Sequence, residues 1–166
     1  MQIIVDADAF PTLLNDILLR AVKRVRIPLV FVSNKPLRFE RSSGISSIVV
    51  PAGTDVADDR IAELVCAGDL VITADIPLAD RVITRGAMAI SPRGDLYTEE
   101  NIKDRLALRN LMNQLRSDGM VTGGPPPFNR KDRQAFANQL DNLLCKYCRR
   151  NDGKISLEEK TKEVKY

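Results

Sequence analysis

Apolar residues fall along this chain in two alternating rhythms. Ile3-Ile4-Val5, Leu29-Val30-Phe31-Val32, Ile48-Val49-Val50, Leu70-Val71-Ile72 and Ala87-Met88-Ala89-Ile90 are continuous runs, the pattern of strands buried on both faces. Between them, apolar positions recur every three or four residues. Leu13, Leu14, Ile17, Leu18, Ala21, Val22 and Val25 form one such stripe; Ile61, Leu64 and Val65 a second; Leu78, Ala79, Val82 and Ile83 a third. That is the rhythm of helices with one covered face. The pattern predicts strands over 2–6, 29–32, 48–50, 70–73 and 87–90, with helices over 11–25, from Thr54 towards Gly68, and around 78–83. Strands alternating with helices through short connections imply an α/β fold built on a parallel sheet, with right-handed crossovers.

Local signals sharpen the boundaries. Pro11 suits the first turn of a helix, Thr54 is a candidate N-cap, and Gly68 and Gly86 close the second and third helices. Residues 35–44, with Arg38 and Arg41, read as a loop. Beyond Pro92-Arg93-Gly94 no further strand is expected. Thr98 followed by Glu99 and Glu100 starts a helix to about residue 116, Gly123-Gly124-Pro125-Pro126-Pro127 forces a bend, and Asn129 caps a last helix containing Phe136, Leu140, Leu143 and Leu144. The organisation expected is one domain over 1–150, an α/β body (1–95) with a two-helix C-terminal arm (96–150). Residues 151–166, poor in apolar side chains, are expected to form a disordered tail.

The chain has 166 residues, 44% hydrophobic and 28% charged, enough for one core. No apolar run approaches the ~20 residues of a membrane span, and the first strand begins directly after Met1-Gln2 without a basic leader. A cytoplasmic protein with no membrane partner is therefore expected. Cys66, Cys145 and Cys148 are then expected to be reduced. Cys145-Lys146-Tyr147-Cys148 has redox or zinc spacing, but it falls at the end of a predicted helix and has no second ligand pair. There is no histidine, so any chemistry must use carboxylates, hydroxyls, amines, guanidinium groups, thiols or a metal. Charge is uneven: residues 1–100 carry a net −3 and residues 101–150 a net +6. A basic arm on a mildly acidic body suits a polyanion, although solvated helix faces account for such charges equally well.

Acids cluster where the predicted strands end. Asp6 and Asp8 follow the first strand, Asp75 follows the fourth, and Asp55, Asp58 and Asp59 share one face of the second helix start. Any one of these has an ordinary explanation as a helix cap or a solvated charge. In a parallel sheet, however, all of them converge on the carboxyl edge, where ligands bind. Crowded carboxylates raise one another's pKa, and a divalent cation would hold them ionised. Asp6, Asp8, Asp55, Asp58 and Asp75 are the candidate ligands of Mg²⁺ or Mn²⁺. Asp6, Asp8, Asp58 and Asp75 are the candidate catalytic residues for hydrolysis of a phosphodiester, with no histidine needed. Arg93, Arg105, Arg109, Arg130, Lys131 and Arg133 are candidates for holding phosphate. The few aromatic residues are not interleaved with them, which disfavours base stacking along the arm.

V-D-A-D-A-x-P at 5–11, D-V-A-D at 55–58, D-L-V-I-T-A-D-I-P-L-A at 69–79, P-R-G at 92–94, T-G-G-P at 122–125 and N-R-K-D-R-Q-A-F at 129–136 together resemble the YaiI/YqxD family of bacterial proteins. The family is similar to PIN-like domains, three-layer α/β folds with an acidic metal site and frequent ribonuclease activity. The resemblance implies that Asp6 and Asp75 match the PIN strand-end acids, that Asp58 matches the helix acid, and that Asp8 is an acid this family adds. Many relatives carry cysteine where this chain has Phe10. Three functions stay open: a metal-dependent phosphodiesterase acting on RNA, a non-catalytic nucleic-acid or nucleotide binding module, and a phosphatase in which Asp6 is the nucleophile. Self-association through the arm is compatible with each.

Overall fold

A computed structural model of the protein describes residues 1–38 and 42–163, with side chains described to Arg149. Arg41, placed by the sequence in a loop, lies outside the described residues. The apolar runs form β1 (Ile3–Asp6), β2 (Leu29–Ser33), β3 (Ile45–Val49), β4 (Leu70–Ile72) and β5 (Met88–Ile90), followed by a short β6 (Leu96–Tyr97). They make one sheet in the order β3-β2-β1-β4-β5-β6. All neighbours are parallel except β5 and β6. Val5 is aligned with Phe31 on one side and Ile72 on the other, so β1 is central and its end is flanked by the ends of β2 and β4.

Alternate side chains of the central strands feed two cores. Ile3, Val5, Leu70 and Ile72 pack under α1 (Asn15–Val25) and α5 (Arg130–Glu163), while Ile4 and Val71 pack under α2 (Val56–Leu64), α3 (Ile76–Thr84) and the start of α4 (Glu99–Ser117). The result is three layers, helices on both faces of a mostly parallel sheet. From α5, Phe136 and Leu144 are wholly buried in the α1 layer. Each such side chain contributes about 1.5–3 kcal/mol, so this helix is bound to the body as part of its core. Among the described residues no helix is long and apolar enough to cross a membrane.

The structure departs from the sequence expectation in five places. Where one helix is expected over 11–25, Thr12–Leu14 form a 3₁₀ turn and α1 begins only at Asn15. A sixth strand follows Pro92-Arg93-Gly94; at two residues it is too short to show any periodicity, and it pairs because Ser91 and Gly94 close a turn (Gly94 N–H to Ser91 O, 3.0 Å). The third strand lies at 45–49 rather than 48–50: as an edge strand it exposes Ser46 and Ser47, so it lacks a continuous apolar run. The second helix has Asp55, not Thr54, at its N-cap. The last helix continues to Glu163, through most of the segment where a tail is expected. Lys, Glu and Leu there are good helix formers, and extending an anchored helix is far easier than nucleating one.

Candidate active site

β2 lies to one side of β1 and β4 to the other, so the connections diverge between β1 and β4 and leave a crevice above their carboxyl ends. A cleft of about 430 Å³ opens there, and Asp6, Asp8, Asp55, Asp58 and Asp75 all line it. Among the described residues no lysine or arginine does. All five candidate metal ligands named from the sequence therefore line one cleft.

Each acid arrives there for a local reason. Asp6 is the last residue of β1, on the same face as Ile4, and is only 7% exposed. Thr73, just past β4, donates its hydroxyl to Asp6 Oδ2 at 2.9 Å and accepts the Asp75 N–H at 3.0 Å. Asp75 caps α3, taking the Leu78 N–H on Oδ1 at 2.9 Å, so its ordinary explanation as a cap holds for one oxygen. Asp8 receives the Asn34 N–H on both oxygens, at 3.0 and 3.1 Å, and ties the turn after β1 to the end of β2. Asp55 and Asp58 make no side-chain hydrogen bond or ion pair within the described residues. Asp55 sits at the N-cap of α2 without capping it and adopts a left-handed backbone (φ +61°), a conformation Asp tolerates better than most residues. Asp59 points elsewhere, to Arg81 at 2.8 Å.

The electrostatics record this crowding. Burial, followed by Asp75, Asp6 and Asp55, pushes the Asp58 carboxyl up to about 6. Asp6 is also raised, first by burial and then by Asp8 and Asp75, against the opposing hydrogen bond from Thr73. Among the described residues no three acidic or cysteine side chains stand as a ready metal-holding group. Mg²⁺ does not require one, since it is commonly held by one or two carboxylates with water completing its shell. A set of oxygen-only donors, two of them pushed towards protonation by burial and then by their neighbours, fits a hard divalent cation.

The basic candidates are not gathered with the acids. Arg93, at the carboxyl end of β5, gives Nη1 to Asp132 at 2.6 Å and Nη2 to the Pro126 carbonyl, and lies 6.0 Å from the Phe128 ring. Arg133 pairs with Asp16 at 2.8 Å and donates to the Leu13 carbonyl. These two fasten the start of α5 to the body. Arg105 pairs with Asp95 over the Tyr97 ring. Arg109 is on α4, which packs on the α3 side, whereas Arg130 and Lys131 are on α5, which packs on the α1 side. Arg130 and Lys131 are exposed. Thr73 and Asn34 are the site residues that the sequence reading missed. The string Ile72-Thr73-Ala74-Asp75 held a clue, a hydroxyl two residues before a strand-end acid, but a threonine at a strand end also reads as an ordinary β-former.

Fold and site together define a mostly parallel α/β protein with an acidic crevice at the switch point of its sheet. The profile described as "Uncharacterized BCR, YaiI/YqxD family" matches residues 4–146. The chain belongs to that family. It is 52% identical over 149 residues to a UPF0178 protein of Hydrogenovibrio crunogenus, covering 90% of this chain and 99% of the relative. It is 54% identical over 147 residues to one of Burkholderia ambifaria, covering 89% and 98%, and 55% identical over 146 residues to one of Thioalkalivibrio sulfidiphilus, covering 88% and 99%. No solved structure matches.

Proposed function

We propose that the protein is a metal-dependent phosphodiesterase acting on RNA. The observation that carries this reading is the convergence of Asp6, Asp58 and Asp75, from a strand end and two helix starts, on one cleft where burial and then the neighbouring acids push the Asp58 carboxyl up to about 6. Structural acids are normally relieved of such crowding; a set left crowded is suited to a cation. Asp6 and Asp75 would hold Mg²⁺ or Mn²⁺, with Asp8 and Asp55 completing an acidic surround. When bound, the cation supplies Lewis-acid stabilisation of the phosphate charge.

The chain's own residues supply the rest. Thr73 orients Asp6 and fixes the Asp75 backbone, so the two acids keep one geometry. Asp58, raised to about 6 in the metal-free protein by burial and its acidic neighbours and left without a side-chain partner among the described residues, is the acid that would accept the proton of an attacking water. The water oxygen then bonds to phosphorus while the opposite ester oxygen leaves in line. Arg130 and Lys131, exposed at the start of α5 and without an ion pair among the described residues, would hold the polyanion outside the cleft.

The test is cleavage of a labelled single-stranded RNA in the presence of Mg²⁺ or Mn²⁺. Cleavage that is lost on chelation and in Asp6→Asn supports the reading. RNA binding without cleavage would replace it with a non-catalytic module. Turnover of small phosphomonoesters with a phosphoryl group trapped on Asp6 would replace it with a phosphatase.

A further inference from the structure

A second cavity, of about 280 Å³, lies beside the acidic cleft and is lined by Phe10, Leu19, Phe31 and Leu37. The two share a wall. Along the turn after β1, Asp6, Asp8 and Ala9 line the cleft while Ala7 and Phe10 line the cavity; after β2, Asn34 lines the cleft while Pro36 and Leu37 line the cavity. The turn is closed by Phe10 N–H to Ala7 O at 3.4 Å, and the two halves of the wall are pinned together by Asp8 on the Asn34 amide. Neighbouring residues of the same two turns thus face opposite cavities.

We propose that this cavity is a base pocket: it takes the nucleobase attached to the phosphate that the acidic cleft receives. The proposal rests on the phosphodiesterase reading for the phosphate, and on the cavity itself for the base. Two phenyl rings and two leucines offer a small apolar slot, just below the usual volume of a ligand pocket and of a size for a single flat ring. The slot is not purely apolar. Thr12 and Asn15 line it, and their side chains make no hydrogen bond within the described residues, leaving them for the polar edge of a base. Arg38 lines it as well and is exposed, bringing a positive charge next to a cleft that has none among the described residues. Single-stranded RNA is commonly read in this way, by a base splayed out against aromatic side chains.

The experiment is a titration of the full-length protein, followed by NMR of the Leu19, Leu37 and Phe10 side chains, with the 3′- and 5′-monophosphates of adenosine and uridine in Mg²⁺. Ribose 5-phosphate is the control that lacks a base. Leu37→Glu and Asn15→Ala are the variants, because Phe10 packs against Phe136 (ring centroids 6.0 Å apart) and its loss would disturb the core. The expected result is that at least one nucleotide shifts these resonances, binds about tenfold or more tightly than ribose 5-phosphate, and loses that advantage in Leu37→Glu. Equal binding of ribose 5-phosphate, absence of binding, or an unchanged preference in Leu37→Glu would overturn the proposal. Base-dependent binding with no RNA cleavage would remove the phosphodiesterase reading and leave the pocket. Cleavage that is indifferent to abasic sites flanking the scissile bond would remove the pocket and leave the reading.

Discussion

Thr73 donates its hydroxyl to Asp6 Oδ2 at 2.9 Å across the junction of β4 and β1. Thr73 Oγ1 in turn accepts the Asp75 N–H at 3.0 Å, so one side chain satisfies a buried carboxylate and a backbone amide together. Thr73→Val keeps the shape and removes both bonds. A loss of about 1–3 kcal/mol is expected from leaving a buried acceptor unpaired, with most of it restored in Thr73→Ser. Urea unfolding at neutral pH measures both; a neutral Thr73→Val would show that the hydroxyl does not hold Asp6.

Crowding of the acids makes stability depend on pH in a definite direction. Asp58 has its carboxyl raised from 3.8 to about 6 by burial and by Asp75, Asp6 and Asp55. Between those values the folded protein binds more protons than the unfolded chain, so the metal-free protein loses stability as pH rises through the window. Below it the effect vanishes. Because Asp58 is only partly covered, solvent screening reduces the effect to about 1 kcal/mol. Melting temperatures of metal-free protein should rise as pH falls from 7.5 to 5, and Asp58→Asn should be the more stable at pH 7.5 with a flatter profile. A wild-type profile that falls towards pH 5 would contradict this.

How much of this was legible in the sequence depended on how far each feature reaches along the chain. Asp6, Asp8 and Asp75 were visible because a buried strand announces itself as an apolar run and the acid follows at once. Asp58 was visible from helical phase. The parallel sheet that unites them followed from the alternation of elements. Thr73 was not visible as a site residue, because its partner Asp6 is 67 positions away. Arg93 was seen as a phosphate candidate, but its ion-pair partner, Asp132, lies on a helix whose docking no local pattern encodes. β6 was missed because two residues carry no period.

Two buried aspartates at opposite ends of the sheet should respond to the same change in opposite ways. Asp69, preceding β4, accepts from Gln2 N–H at 2.9 Å, Gln2 Nε2 at 3.0 Å and Cys66 N–H at 3.0 Å. In Asp69→Asn an amide NH₂ must face one of those donors, at an expected cost of about 1–3 kcal/mol. Asp6→Asn retains an oxygen for the Thr73 hydroxyl and removes a charge repelled by Asp8 and Asp75, so stability should hold or increase. Mn²⁺ titration should show the cost: binding lost in Asp6→Asn and kept in Asp69→Asn. A stability–function trade of this kind separates a working acid from a structural one.

The Pro92-Arg93-Gly94 turn is where the sheet receives α5, and a glycine is required there. Gly94 has φ +88°, and a Cβ on it would stand 2.5 Å from the Ala135 carbonyl carbon and 2.7 Å from both the Ala135 oxygen and the Phe136 nitrogen. Helix backbone cannot yield as a side-chain tip can. Gly68 has a similar backbone (φ +84°) with nothing within 4 Å, so Gly68→Ala isolates the conformational penalty, about 1–2 kcal/mol. Gly94→Ala adds the clash and should cost about 3 kcal/mol or more. The loss should be local in origin. Arg93 and Asp132, paired at 2.6 Å beside this contact, would be pulled apart, and amide exchange should rise first around Phe136 and Leu140. If Gly94→Ala and Gly68→Ala prove equally mild, the turn is not the seat of α5, and the basic residues at that helix start are free to move relative to the acidic cleft.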